Sequence, residues 1–520
     1  MAIKRYFATK DNTITNAFKS NLTTRGTGSN MGQSDVLEVF SIYGQASSSS
    51  GLSSELARVL IEFDTTDVAA DRTAGDIPAS GSVSFYLKMY NAKHGQTLPK
   101  SYTMEVKAVT GSTGTREWEE GFGLDMEGYT DLTAGGTGSN WVNRKSATAW
   151  TTQGGDYANP NTDLSSSFTQ VFDDGTEDLE IDVTTLVEQW INSAGNVLGP
   201  KNNYGFGVML SSSHETEGRS YYTKKFFARG SEFFFKRPVL EARWDSRDLD
   251  NRGNFIYSSS LATADENLNK IYLYNYFRGQ LRNIPGIGTG NIYVSLFSGS
   301  ADNSAPSGGA LELVVDGTHV THASRNRVVT GSYSSKGIYT ASVALTAAST
   351  PLATVYDVWF SGSDTIADAA GASIQYRTGS IIPSTVESYS IAPSDKFVTN
   401  ITNLKSVYST SETARFRVFV RSKDWCPTVY SVASKVAENT EIESGSYKIF
   451  RIIDELDVVP YGTGSDLHTA MSYDMSGNYF DFDMSMLQEG YMYGIKFTYY
   501  NNSIGNWIEQ PEVFKFRVEK

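Results

Sequence analysis

The chain has 520 residues, a formal net charge of −14, 39% hydrophobic and 20% charged residues, 30 Tyr, 27 Phe and one Cys. It is too long for a single core, so three or so domains are expected, and its ordinary hydrophobic content excludes a disordered chain. The acidic balance argues against a reader of phosphate backbones, the lone Cys426 excludes an internal disulfide, and no run reaches the ~18 apolar residues of a membrane span.

The first 245 residues read as a β-rich domain. Asp11-Asn12-Thr13-Ile14 precedes a Gly-rich stretch, Gly26-Thr27-Gly28-Ser29-Asn30-Met31-Gly32, and an apolar strand from Val36 to Tyr43. The strand Ala57-Arg58-Val59-Leu60-Ile61-Glu62-Phe63-Asp64 follows. Val83, Phe85, Leu87 and Met89 alternate with polar residues, as do Met104, Val106 and Ala108, so each strand has one apolar and one wet face. Then come Glu117-Trp118-Glu119-Glu120-Gly121 and Trp150-Thr151-Thr152-Gln153-Gly154-Gly155-Asp156. Val183, Leu186, Val187, Trp190 and Ile191 fall at helical spacing, and Thr185 with Glu188 fits a capping box, which predicts one short helix among strands. Asn203 to Leu210 is a turn and buried strand, and Arg237-Pro238-Val239-Leu240-Glu241-Ala242-Arg243-Trp244 a closing strand.

These elements, in this order, resemble the DNRLRE family of β-sandwich domains, which implies a carbohydrate-binding or adhesive module over residues 1–245. The chain differs from the family at a longer Ser-rich loop (46–54) and an aromatic run (226–235), so no sugar preference is carried over.

A polar stretch at 245–253 marks the first boundary. The segment 262–281 has Leu268, Ile271, Tyr272 and Asn275 at helical spacing with Asp265 as cap, which predicts a short helix ahead of a second β-sandwich over 246–385. Its strands are expected at 291–297, 311–315, 338–345 and 354–360. A second boundary near 382–393 carries Pro383 and Pro393. Residues 386–520 then predict an Ig-like sandwich with strands at 414–421, 447–453, 478–484, 492–500 and 513–518. Hairpin chemistry lies at Met475-Ser476-Gly477-Asn478 and Asn501-Asn502-Ser503. The fold class expected is therefore all-β, tandem antiparallel sandwiches.

Candidate chemistry is sparse. The sequence contains no His-Glu-x-x-His, Gly-x-Ser-x-Gly or phosphate-cradling Gly-x-x-x-x-Gly-Lys motif. His319 and His322 sit by an expected hairpin at Asp316-Gly317 with no third ligand nearby, which reads as a surface loop. Cys426, between Trp425 and Pro427, is expected to be a packed, inert thiol. Glu117, Glu119, Glu120 and Asp125 lie near Trp118, with Trp141 and Trp150 downstream. Those residues read either as a long loop pinned to the sandwich by its Trp side chains or as a sugar cleft, and paired carboxylates could in principle serve glycoside hydrolysis. The acidic run Asp173, Asp174, Glu177 and Asp178 is a calcium candidate, against the reading of a solvated loop. In the run Tyr221, Tyr222, Phe226 and Phe227, alternation sends half the rings inward and leaves the rest for a neighbouring subunit or a glycan ring.

The N-terminal Met1-Ala2-Ile3-Lys4-Arg5-Tyr6-Phe7 lacks the ~7–15-residue apolar core of an export signal. Together with the β-module style and the stretch from Tyr473 to Val518, this makes the chain look like a virion structural protein of tailed bacteriophages. What the resemblances imply is a non-enzymatic particle component, made in the host cytoplasm and located in the virion. It would act by assembly with other virion proteins and copies of itself, with no cofactor unless Ca2+, no nucleic acid and no membrane insertion. The alternative is a glycan-binding adhesin or receptor-binding protein that meets a host-surface glycan.

Overall fold

The computed structural model describes residues 2–19, 21–48, 51–95, 99–110, 117–124, 138–218, 220–299, 307–314, 327–362, 375–388, 396–429 and 439–520. Asp125, Asp316, Gly317, His319, His322 and Pro393 lie outside them. The fold is all-β: 45% strand against 8% helix, in several antiparallel sheets. The chain divides into two compact units, Ala2–Asp245 with Gly464–His468, and Ser246–Thr463 with Thr469–Lys520. Among the described residues no helix is long and apolar enough to cross a membrane.

In the first unit β1 (Ile3–Thr15) serves two layers. Its first half pairs with β12 (Val239–Arg243), and after an irregularity between Ala8 and Lys10 its second half pairs with β3 (Gly51–Phe63). A bulge is how a strand turns a corner between two layers. One layer continues from β12 to β4 (Ser84–Met89) and β9 (Leu179–Asp182). The other runs from β3 to β10 (Phe206–Leu210), β5 (Tyr102–Ala108) and β8 (Ser167–Phe172), while β2 (Val36–Ser48) joins β3 to β11 (Tyr221–Phe227). The apolar alternates named above, Val83, Phe85, Leu87, Met89, Met104, Val106 and Ala108, all face one core. A two-residue hairpin, β6 (Asn143–Lys145) with β7 (Thr148–Ala149), closes the loop region.

Among the described residues of this unit there are three α-helices where one was expected. The helix α1 (Thr65–Ala74) starts where Asp64 accepts the Thr66 N–H (2.8 Å) and ends at Gly75, whose φ of 82° is the left-handed C-cap. That stop-start chemistry is legible in Asp64 and Gly75. The helix α2 (Thr184–Ile191) buries Leu186, Val187 and Trp190, with the Trp190 ring 4.7 Å from Phe206. Its capping box does not form, because both residues have stronger partners. Glu188 receives two hydrogen bonds from Arg72 (3.1 and 2.6 Å), and Thr185 Oγ1 donates to the Ser165 carbonyl (2.9 Å). The third, α3 (Ser212–Thr216), is a single turn.

The second unit carries two sheet systems. One is built around Ile338–Thr346, which pairs with Asn269–Tyr274, Val329–Ser335 and Leu313–Val314, and around Ile292–Gly299, which pairs with Val355–Phe360. The other sets a four-stranded sheet (Phe397–Ile401, Thr413–Ser422, Gly477–Asp483, Ser472–Asp474) against a six-stranded one that includes Gly445–Arg451, Met492–Asn501 and Phe514–Glu519. Their inner faces meet through aromatic rings, Tyr447 on Phe480 at 3.9 Å and Phe480 on Phe497 at 6.0 Å.

Two expectations are corrected here. Residues 262–281 form no helix: Thr263 and Glu266 make the reciprocal bonds of a capping box, but over one turn only. Asn269–Tyr274 is then drawn into the sheet, because pairing with Ile338–Thr346 buries Ile271, Tyr272 and Leu273 together. Cys426 is exposed rather than packed. The polar stretch after Asp245 is also no free linker. Asp248–Asp250 exchanges backbone bonds with Tyr473 (3.1 Å each), and Arg252 forms a buried bidentate pair with Asp357 (2.6 Å each).

Candidate functional site

The first unit carries a cleft of about 450 Å³, lined by Arg58, Glu105, Lys107, Thr110, Thr151, Thr152, Asp156, Tyr157, Met209, Ser212 and Glu215 among others. Strands supply its floor. Arg58 projects from β3, and Glu105 and Lys107 lie two apart on one face of β5. Arg58 bonds Glu215 through two parallel contacts (2.9 and 2.6 Å) and donates to the Gly154 carbonyl (3.0 Å). Lys107 pairs with Glu105. Burial pushes the Tyr157 hydroxyl up, so it stays a neutral donor, and it donates to Gly154 O (2.9 Å). Within the cleft Arg58 is thus paired with Glu215 and Lys107 with Glu105, and Thr110, Thr152 and Ser212 add hydroxyls to its lining.

The Gly-Gly-Asp run is what shapes this rim. Asp156 accepts the N–H groups of Thr151 and Thr152 (3.0 and 2.8 Å), which folds the segment back on itself. Gly155 takes φ 106°, and a Cβ there would lie 2.3 Å from the Tyr157 hydroxyl. Both glycine and acid are therefore needed for the turn.

The three Trp side chains lie behind the cleft, not on it. Trp118, Trp141 and Trp150 are 1%, 6% and 5% exposed and pack with Ile14, Leu60 and Val109. Trp118 Nε1 donates to Tyr204 O (3.0 Å) and Trp150 Nε1 to Asn140 O (2.9 Å). Arg58 stacks over Trp141 at 5.2 Å. They pin the loop, and none offers a ring face to a sugar. The neighbouring acids are equally committed. Glu120 takes two bonds from Arg229 (2.5 and 2.6 Å) and the Asp11 N–H (3.0 Å), and Glu119 accepts from the backbone of Gly138 and Ser146. Glu117 is exposed.

The acidic run carries its own cation. Glu177 accepts the N–H groups of Asp173 and Asp174 (2.7 Å each), and Asp178 accepts that of Asn91 (2.7 Å). The fully buried Lys224 ammonium donates to the carbonyls of Gly175 and Glu177 (3.1 and 2.5 Å) and to Asn91 Oδ1 (2.7 Å), an oxygen cage of the kind calcium would otherwise fill. Burial lowers the Lys224 ammonium to about 8. Among the described residues no group of three or more His, Cys, Asp or Glu could hold a metal ion. Lys224 reaches the loop from β11, whose alternation sends Tyr222, Lys224 and Phe226 inward and leaves Tyr221 44% exposed.

Arg58, Glu215 and Lys224 were not legible as site residues. Lys224 did carry a signal, a charge in line with the buried Tyr222 and Phe226 of an apolar strand. Glu215 carried none, because it meets Arg58 across 157 residues of chain.

No family model matches this chain, and no curated protein does. Among solved structures, the native conformation of Escherichia coli alpha-2-macroglobulin aligns at 9% identity over 88% of this chain with a TM-score of 0.15, a likeness too low to carry an argument. The aligned part is 21% of that protein's length, so this chain spans about a fifth of it.

Proposed function

We propose that this protein is a non-enzymatic structural component of a tailed-bacteriophage particle, with a DNRLRE-type sandwich over residues 1–245, acting by assembly and surface display. The observation that carries the reading is the fate of three candidate acids. Glu119, Glu120 and Glu177 are each spent on a backbone N–H or a guanidinium that fixes a loop, while Glu117 is exposed. A general acid or base must instead reach a substrate proton. Rigid sheets suit a part whose work is shape and contact. Immunogold microscopy of tailed particles from lysates that contain the protein tests it: labelling at one fixed position on the particle is expected, and unlabelled particles beside abundant free protein would sink the idea.

A second reading, glycan recognition, is favoured by the hydroxyl-lined cleft rather than by the Trp side chains. Thr110, Thr152 and Ser212 provide the donors and acceptors a sugar's hydroxyl groups require. A glycan array should then show a signal that Thr110→Ala combined with Thr152→Ala removes from a folded protein. A flat array would dismiss the cleft as a glycan site.

A further inference from the structure

An exposed feature of the second unit is a miniature hairpin, Tyr276–Phe277 paired with Gln280–Leu281. Its turn residues, Arg278 and Gly279, both have positive φ, 52° and 80°. This is the two-residue turn whose first position favours Asn, Asp or Gly. Arg gains nothing there as a turn former, so its side chain is the reason to look for a role.

That side chain builds a specific surface. The guanidinium carbons of Arg278 and Arg282 each stand 5.3 Å from the centre of the Phe277 ring, one on the turn and one on the return strand. Tyr276 and Phe277 remain 58% and 52% exposed. The base is rigid. Asn275 N–H donates to Gly337 O (2.8 Å), Arg282 N–H donates to Asn275 O (3.0 Å), and the Asn275 amide returns a bond to Arg282 O (2.5 Å). A Cβ on Gly337 would come within 2.6 Å of Arg282 N, so the hairpin is seated against bare backbone.

Aromatic rings beside Arg, already ordered before contact, are the composition and the condition of an interface hot spot. Charge selects the partner. Residues 276–282 hold two Arg and no acid, in a chain whose net charge is −14. A second copy, with 58 acidic against 44 basic residues, carries the net charge that complements a basic, aromatic hairpin.

We infer that this hairpin is a self-association surface: the Phe277 ring and its two guanidiniums dock on an acidic face of a second copy of this chain. The contact joins unlike surfaces, as repeating particle parts require. It rests on the assembly reading above and names a surface for it.

Sedimentation velocity of the full chain over a concentration series tests the inference with three variants. Arg278→Glu with Arg282→Glu, and separately Phe277→Ala, should weaken association about tenfold or more. Arg278→Asn separates role from fold: it suits the turn better, so the thermal midpoint should stay level or rise while association weakens. If the wild type associates and all three variants match it, the hairpin is not the surface, and the assembly reading stands. A wild type that stays monomeric at its highest soluble concentration overturns the inference, whereas particle labelling judges the assembly reading separately. Capture on anionic phosphatidylserine vesicles that the variants lose, with self-association unchanged, assigns the hairpin to a lipid surface and also overturns it.

Discussion

Two buried carboxylate sites, one in each unit, respond to burial in opposite ways. In the first unit Glu241 is wholly buried, bonded by Arg5 (2.5 Å) and Arg243 (2.8 Å) with Lys88 beyond. Burial pushes its carboxyl up, yet the combined field of three cations outweighs that and holds it well below the usual carboxylate range. In the second unit Asp250 and Glu441 lie near Asp474, with Glu443 also near Glu441, and Asp248 lies near Asp481. Burial and like-charged neighbours push these three up to about 6, 6 and 7, against partial relief from Arg252 and Arg415. Asp11 in the first unit behaves like the second group, raised to about 7 by burial and Glu120 while Arg229 opposes. The number of cations per carboxylate, not depth, sets the sign.

The contrast is broken most severely at its strongest point. Glu241→Gln removes the anion that Arg5, Lys88 and Arg243 share, leaving Glu180 to Lys88 and Arg243 (3.3 and 2.6 Å), and should cost roughly 3–5 kcal/mol in urea unfolding. A loss under about 1 kcal/mol would mean that Glu180 takes over.

The second prediction uses pH. Asp250 keeps a proton in the folded state up to about 6, whereas an unfolded Asp loses it near 3.9. The folded state thus binds more protons between those values, so the Asp250 contribution falls as pH rises from about 4 to 6, a change of order 1–3 kcal/mol, and Asp248, Glu441 and Asp11 add falls of the same sign up to about 7. Asp250→Asn should make that slope shallower without removing it. Glu241 has the opposite sign. Its contribution is complete above the unfolded value near 4.3 and is lost only in strong acid, so it adds no slope in this window.

A third prediction concerns the built-in cation. Lys224→Met removes the ammonium donor from the Glu177 carbonyl and Asn91 Oδ1, while Gly175 O keeps the Tyr102 hydroxyl, and should cost about 1–3 kcal/mol, and millimolar CaCl2 should not raise the wild-type thermal midpoint. Since the Lys224 ammonium is lowered to about 8, its burial penalty is present below that pH and eases as pH rises toward the unfolded value near 10.4. A calcium-dependent rise in midpoint would show that the loop binds the ion despite Lys224. The smallest effect is expected at Thr185→Ala, about 0.5–1 kcal/mol for its bond to Ser165 O and nothing for a cap. A loss near 2 kcal/mol would restore the capping role.

Period-two alternation gave away the strands from Val83 to Met89 and from Phe480 to Met484, because a sheet with one wet face writes its pleat directly into the order of residues. The α2 face was legible for the same reason at a different period. Local turn chemistry was legible too, at Met475-Ser476 and at Asn501-Asn502, where hairpins form. The segment 262–281 failed because its helical spacing and its start signal were both real, yet non-local pairing buried more apolar surface than a lone helix could.

What the sequence determined by itself was the all-β class, most strand positions and the absence of familiar catalytic motifs, since these depend on neighbours a few residues apart. Only the tertiary structure decided which charges meet and which aromatic rings see water. Arg58 finds Glu215 and Arg252 finds Asp357 across more than 100 residues. The Trp side chains turn inward because the loop folds over them, and a Lys from another strand takes the cage that the acidic run seemed to reserve for a metal. Contacts of that kind are settled by packing in three dimensions, which no local pattern encodes.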